Sequence, residues 1–492
     1  MEGFNGCRLE GDHDDRDSGG NDYDGVGCHF CHRVMPTGPA GQTTRNENAN
    51  FFVDDSETCA TNGAFGPCRR GPYQYPAPGA GSPPHGWEYS PEQQRSELCG
   101  NCHDVTTPIL GPTDASALKR LILNDGTVTN IPFPIERTYG EWKNSDYGAR
   151  IFADGFVTNE PRTTAERYGE TCQSCHMRKS ADPAARACVS NAPGSRTNNL
   201  PVHEFAGANA WVPSLIRDLY GGIAGLNRVA EFNRTIALAV EMLTERSASL
   251  AVALDPLGAG AQTLTARVRV TNLGGHKLPT SYGEGRRMWV NVQARDANNA
   301  LIFESAAYNP ATAVLTHDAQ ARIYEVQHGI WNQASGECVI TDGAGREQFH
   351  FVLNDCVRKD NRIPPLGFRG GNNLEMRPVG QTYPETSPGS GRLVNYDDIV
   401  YAIPVSAGAA RPISVTVNLR HQVASREYIE FLRDEAARVN VPSETAMCQT
   451  QRPGGIATGP RNQRRADFMF DLWNNNGRSP PVNMRTAAAT TE

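Results

Sequence analysis

Three short segments decide what this chain can fold into. Each places two cysteines three residues apart with a histidine directly after the second: Cys28-His29-Phe30-Cys31-His32, Cys99-Gly100-Asn101-Cys102-His103 and Cys172-Gln173-Ser174-Cys175-His176. On one helical turn the two thiols project together, placed to add to the two vinyl groups of a haem, and the histidine then sits beneath the iron as proximal ligand. The spacing predicts three covalent haems of the c type. Zinc is the competing chemistry for paired cysteines, but a structural zinc takes four ligands. Three pairs do not divide into four-cysteine sites, and zinc has no need of a histidine after every pair.

The segments lie in a region with little apolar periodicity. Residues 1–210 are broken by Asp/Gly-rich, Pro-rich and Asn-rich stretches between short helical pieces. A stack of porphyrins would replace the missing core, because short helices and loops can cover their apolar faces. The acidic run Asp12, Asp14, Asp15, Asp17, Asp22, Asp24 lacks the terminal glutamate of a calcium loop and reads as a solvated loop. From Trp211 the apolar residues fall at helical spacing (Leu215, Ile216, Leu219, then Phe232, Ile236, Val240, Leu243), a helical connector over 211–255. The period then switches to two: Leu264, Ala266, Val268, Val270, followed by Met288, Val290, Val292, a turn at Asn298-Asn299, and Leu301, Phe303. Further strands are expected around 322–327, 348–353 and 412–419. The predicted class is α+β: a loop-rich, partly helical haem-bearing domain over 1–210, the connector, an immunoglobulin-like β-sandwich over 256–435, and a tail over 436–492 with a short helix near Phe468–Trp473.

Seven of the 13 cysteines lie outside the motifs: Cys7, Cys59, Cys68, Cys188, Cys338, Cys356 and Cys448. Cys59/Cys68 and Cys338/Cys356 flank short loops, which suits disulfides in an oxidising compartment. Haem attachment follows export, so a periplasmic, extracellular or cell-surface location in a bacterium is expected. The opening residues hold no basic segment followed by an apolar one, so a leader is expected upstream or missing, and Gly6-Cys7 resembles a lipoprotein site only faintly. The net charge of −7 comes with no basic stripe and no long apolar run. Neither nucleic acid nor a membrane span is indicated.

Each haem iron needs a second ligand if it is to be closed. The histidines outside the motif ends are His13, His29, His85, His203, His276, His317, His328, His350 and His421. His203 stands in a polar loop before the connector, His276 between two glycines and Lys-Leu-Pro at a strand end, and His85 fourteen residues before the second motif. These three are the distal candidates, each also readable as a structural histidine. His29, inside the first motif, is a further candidate for a neighbouring haem; the others read as ordinary core or surface residues.

At GVGCHFCHR, PHGWEYS, SELCGNCHDVTTP, YGEWKNSDYG, TCQSCHM, VHEFAGAN, TNLGGHKLPTSYGEGRRMW, DNRIPPLGF and ASREYIEFL the sequence resembles bacterial multihaem cytochromes c, distantly akin to the cytochrome c554 and hydroxylamine oxidoreductase group. The resemblance implies a haem-bearing front, a β-rich back, and distal ligands at His85, His203 and His276. Where that pattern often holds another histidine before the second motif, this chain reads Ser90-Pro-Glu-Gln-Gln.

The expected activity is electron transfer, with all three haems held by two histidines each. The expected partners are other cytochromes, a membrane oxidoreductase, or further copies in an oligomer or filament. His276 should reach a haem of the front part, with Lys277 meeting a propionate. The alternative is an oxidoreductase of small nitrogen compounds with one open haem.

Overall fold

The computed structural model describes residues 27–35, 37–38, 41, 47–54, 56–60, 66–75, 83, 85–107, 119–148, 171–185, 200–222, 226–258, 260–443 and 463–491. The acidic run, His13, Cys7, Cys188 and Cys448 lie outside these. The class is mixed, with short helices in the front and a sheet-rich C-terminal region.

Period-two alternation builds the back part. Leu264, Ala266, Val268 and Val270 on the strand Thr263–Asn272 are all buried, and the residues between them are exposed or half-buried. That strand lies between Ala248–Leu254 and Tyr396–Pro404 in an antiparallel sheet. A second sheet runs Leu301–Ser305, Arg287–Arg295, Ser414–Gln422, Val482–Thr490, with Arg322–Tyr324 also paired to Arg287–Arg295. One apolar core fills the space between the sheets, joining Val268, Val270 and Tyr401 to Met288, Val290, Val292, Val415, Val417 and Leu419. Each fully buried aliphatic side chain contributes about 1.5–3 kcal/mol, so this alternation is the main driving force of the back part. The turn at Asn298-Asn299 is present, with Asp296 Oδ1 accepting the N–H groups of Asn298 and Ala300, both at 2.9 Å.

The structure departs from the sequence pattern in three places. The helical run ends at Arg246, and Ala248–Leu254 is already a strand of the sheet. The stretch 348–353 forms a turn closed by Leu353 N–H on His350 O at 2.7 Å, because Phe349 packs edge-on against Tyr428 and Phe431 of the helix Arg426–Arg438. The tail carries the helix Arg465–Asn475 and then the edge strand Val482–Thr490. A final strand with three successive alanines (Ala487, Ala488, Ala489) has too weak an apolar signal to be read without its neighbour.

Front and back are stitched together. The strand Arg120–Ile122 joins Cys356–Asp360 in parallel at Cys356↔Ile122, forming a sheet that continues to Val128–Pro132 on one side and to Val326–Asn332 and Glu337–Val339 on the other. Leu121, Phe133 and Ile135 form a small core there, against Val357 and Tyr282. The disulfides Cys59–Cys68 and Cys338–Cys356 are both formed, as the spacing predicts. Among the described residues, no helix is long and apolar enough to cross a membrane.

Candidate functional site: three cysteine motifs and their histidines

Each motif lies on or at the end of a short helix: Cys28–Arg33, Ser96–Gly100 and Cys172–His176. Thr171 caps the third, its hydroxyl accepting the Ser174 N–H at 3.1 Å. None of the six motif cysteines is in a disulfide.

The first motif is anchored through Arg33 and His32. Arg33 Nε donates to Asp54 O at 2.6 Å, and His32 Nδ1 donates to Arg70 O at 2.6 Å. Arg70 is itself fixed by ion pairs to Asp54 and Glu88, both at 2.5 Å. Opposite His32 stands His203, ring centroids 6.2 Å apart and planes at 43°.

The same segment that carries His203 also serves the third motif. Its backbone runs beside the motif's exit, with Val202 N–H on Arg178 O at 2.7 Å, and its Ala206 O accepts His176 Nδ1–H at 2.6 Å. Arg178 and Arg234 hold Glu204 from either side. Facing His176 is His276, centroids 6.3 Å apart and planes at 21°. His276 comes from the back part, on the loop after the strand Thr263–Asn272. Asn272, almost fully buried, shapes that loop: its Nδ2 donates to His276 O at 2.7 Å and to Ile363 O at 3.0 Å, and its Oδ1 accepts the Gly274 N–H at 2.8 Å. Gly275 packs closely on Trp142: a Cβ there would lie 3.1 Å from the ring, a tight contact.

These two separations have a chemical meaning. Imidazole bonds place each ring atom roughly 1.15 Å from the centroid, and an imidazole–metal bond is about 2.0–2.1 Å. Two histidines in line on one metal therefore have centroids about 6.4 Å apart, close to the 6.2 and 6.3 Å found here. In three of the four rings, Nδ1 lies 2.6–3.2 Å from a backbone carbonyl: His32, His176 and His276, the last on Lys277 O. A donated Nδ1–H leaves Nε2 as the ligating nitrogen. Burial lowers the pKa of His176, His203 and His276, which favours the neutral, ligating form.

The second motif is built differently. His103 Nδ1 faces Glu136 Oε1 at 3.4 Å, an oxygen that also accepts from Thr138 Oγ1 at 3.0 Å, and this raises the pKa of His103. Among the described residues no ring contact joins His103 to another histidine. His85 lies within electrostatic reach of His29, and its Nδ1 donates to Gly86 O at 2.9 Å. His29 Nε2 accepts from Arg69 Nη2 at 3.2 Å.

Surfaces around the motifs suit a large, partly apolar group. Phe205, beside His203, is 60% exposed and held at φ 46°, a backbone region unusual for a bulky residue, and Leu273, beside the His276 loop, is 43% exposed. Trp87 Nε1, Gln93 Oε1, Glu97 Oε2, Asn101 Oδ1, Thr107 Oγ1 and Gln173 Oε1 are buried with no hydrogen-bond partner in the protein.

Lys277 corrects an expectation. It does not point toward the motifs; it is fully buried, with Nζ on Asp360 Oδ2 at 2.6 Å. The chain bends over residues 274–276, and beyond the bend the Lys277 side chain turns inward to Asp360 while His276 faces His176. Sequence reading also missed Asn272, Arg70 and Ala206. The last two act through backbone carbonyls, which leave no residue-type signal.

No protein-family model and no curated protein matches the sequence. Among solved structures, a penta-heme cytochrome c552 from Thermochromatium tepidum is similar at 13% identity, over 94% of this chain and 76% of that one, with a TM-score of 0.42. At that overlap the likeness carries no argument, and the site stands on its own geometry.

Proposed function

We propose that this chain binds three haems covalently, one at each CxxCH motif, and serves as an electron carrier outside the cytoplasm. The observation that supports this best is the two facing histidine pairs, His32/His203 and His176/His276, at the separation of two imidazoles sharing one metal. Haem iron supplies a one-electron couple when bound. The chain's contribution would be to present two thiols per motif on one turn, to hold Nδ1 protons on carbonyls so that Nε2 is left to ligate, and to offer two histidines to the iron at the first and third motifs. Filled positions exclude substrate, which suits a carrier.

In this reading His32, His103 and His176 are proximal ligands and His203 and His276 distal ones, with His85 kept as a distal candidate assigned to no particular haem. The front part carries the haems, and the back part is a sandwich that donates one ligand across the stitched sheet. Two disulfides and haem attachment both suit an oxidising compartment, the periplasm or cell surface. The partners are other redox proteins or further copies of the chain.

The second motif separates the carrier from an oxidoreductase of small nitrogen compounds, since no second histidine faces His103 among the described residues. Pyridine haemochrome titration should give three haems per chain. Adding carbon monoxide to the reduced protein should leave the Soret band unchanged. A shift in about a third of the haem would assign an open iron to His103 and replace the carrier reading by the oxidoreductase.

A further inference from the structure

The stretch from Ser90 to Ser96 holds no histidine, yet the three motifs meet on it. Ser90 caps the single 3-10 turn Pro91–Gln94, its hydroxyl accepting the Glu92 N–H. From that turn Gln93 Nε2 donates to Cys31 O of the first motif at 3.2 Å. Gln173, between the cysteines of the third motif, reaches back: its Nε2 donates to Gln93 O at 3.3 Å and to Arg95 O at 2.7 Å. Ser96 Oγ, almost fully buried, accepts the backbone N–H of Cys172 at 3.1 Å. Ser96 also opens the helix that carries Cys99 of the second motif.

All the acceptors of the two glutamine side chains are carbonyl oxygens, so only the NH2 end can face them, and the orientation of both amides is fixed. Their other ends, Gln93 Oε1 and Gln173 Oε1, are buried and unpaired in the protein. Burying an amide half-satisfied is costly, so apolar side chains would serve better if only packing were needed. The outcome of these bonds is close approach: the helix Ser96–Gly100 packs directly against the helix Cys172–His176, so the second and third motifs are neighbours.

We propose that Gln93 and Gln173 are positioning residues which, with Ser96, clasp the three CxxCH segments into one block with the second motif in the middle, and so set the distance and angle between the groups that the motifs carry. The inference rests on the haem-binding reading. It gives the histidine-free Ser90–Ser96 stretch a definite role: coupling the motifs to one another, where a histidine would serve a single iron. Electron exchange between neighbouring centres falls steeply with their separation, so a carrier gains from such a clasp even though neither glutamine touches an iron.

The test compares the full-length, haem-loaded protein with Gln93→Met, Gln173→Met and the double variant, methionine having nearly the length of glutamine without its amide. Haem per chain is counted by pyridine haemochrome, and haem–haem geometry is read from the exciton couplet in the Soret circular dichroism. The expected result is three haems in every protein, with the double variant losing most of the wild-type couplet and each single variant losing part of it. If the double variant does not fold, the single variants decide in the same way. An unchanged couplet with three haems overturns the clasp and leaves the functional reading standing. Loss of haem from the glutamine variants also overturns it, since the residues would then serve attachment. A wild type without covalent haem overturns the functional reading and this inference with it.

Discussion

At the scale of single residues, His276 and Lys277 show how one dipeptide serves two purposes. His276 faces His176, and Lys277 goes the other way into a buried charge network where Asp360 also receives Arg362, and Arg362 reaches Glu141 at 3.0 Å. Glu141 Oε2 in turn accepts the Lys277 backbone N–H at 3.1 Å, so the network grips the loop from both ends. Asp360→Asn would leave the Lys277 ammonium buried without its partner, and stripping one member from a buried pair costs about 3–5 kcal/mol. A denaturant midpoint for that variant should fall accordingly. Under the haem-binding reading, His276→Ala should leave haem content at three and make one haem high-spin, visible by electron paramagnetic resonance. A fully low-spin spectrum would remove His276 from the ligand set.

Two buried groups set an opposing pH dependence. Burial pushes Glu284 up to about 7 from its ordinary 4.5, although Tyr282 and Asn354 donate to it. Burial brings His328 down to about 4 from 6.5. The folded state favours protonated Glu284, so that stabilisation is complete below pH 4.5 and is lost as pH rises through 7. It favours neutral His328, so that contribution is present above 6.5 and is lost as pH falls through 4. Urea midpoints should therefore show Glu284→Gln removing about 1–3 kcal/mol of the fall in stability between pH 5 and pH 8.

At the scale of elements, the second motif depends on how closely its helix approaches the helix Thr138–Lys143. A Cβ on Gly100 would lie 2.5 Å from the Tyr139 ring, which is buried and stacked on Trp142 at 5.6 Å. The glycine inside this CxxCH is thus fixed by a neighbour's bulk. Gly100→Ala should cost about 1–3 kcal/mol through overpacking. A thermal scan that left the variant as stable as wild type would mean the two helices can separate. The helix Arg426–Arg438 is a simpler case, since Ser425 accepts the Tyr428 N–H at 3.2 Å as its cap. Ser425→Ala should lower stability by about 1 kcal/mol.

At the scale of the whole molecule, apolar burial is unevenly shared. The back part has one continuous core between two sheets, whereas the front has small clusters such as Tyr139/Trp142 and Leu121/Phe133/Ile135. Under the haem-binding reading, the front should depend on its bound groups far more than the back does. Limited proteolysis of chain produced without haem attachment should cut first among residues 27–106 and 171–206, leaving a resistant fragment that contains 263–422. Equal cleavage in both parts would mean that the front holds its fold by protein contacts alone.

The three CxxCH motifs, the two disulfides and the alternating strands of the back part were legible in the sequence because each depends on residue type at fixed local spacing. Local context also pointed to His85, His203 and His276, but it could not say that His203 and His276 face His32 and His176 or that no such facing partner is seen for His85 among the described residues. Those pairings join residues far apart in the chain, and they are set by the Asn272 loop, the Arg70 and Ala206 carbonyls and the parallel contact between Arg120–Ile122 and Cys356–Asp360. The inward turn of Lys277 and the meeting of the motifs on Gln93 were likewise decided only by tertiary structure. A buried lysine is recognisable once its carboxylate is in place, and a backbone carbonyl acts as an acceptor whatever side chain it carries.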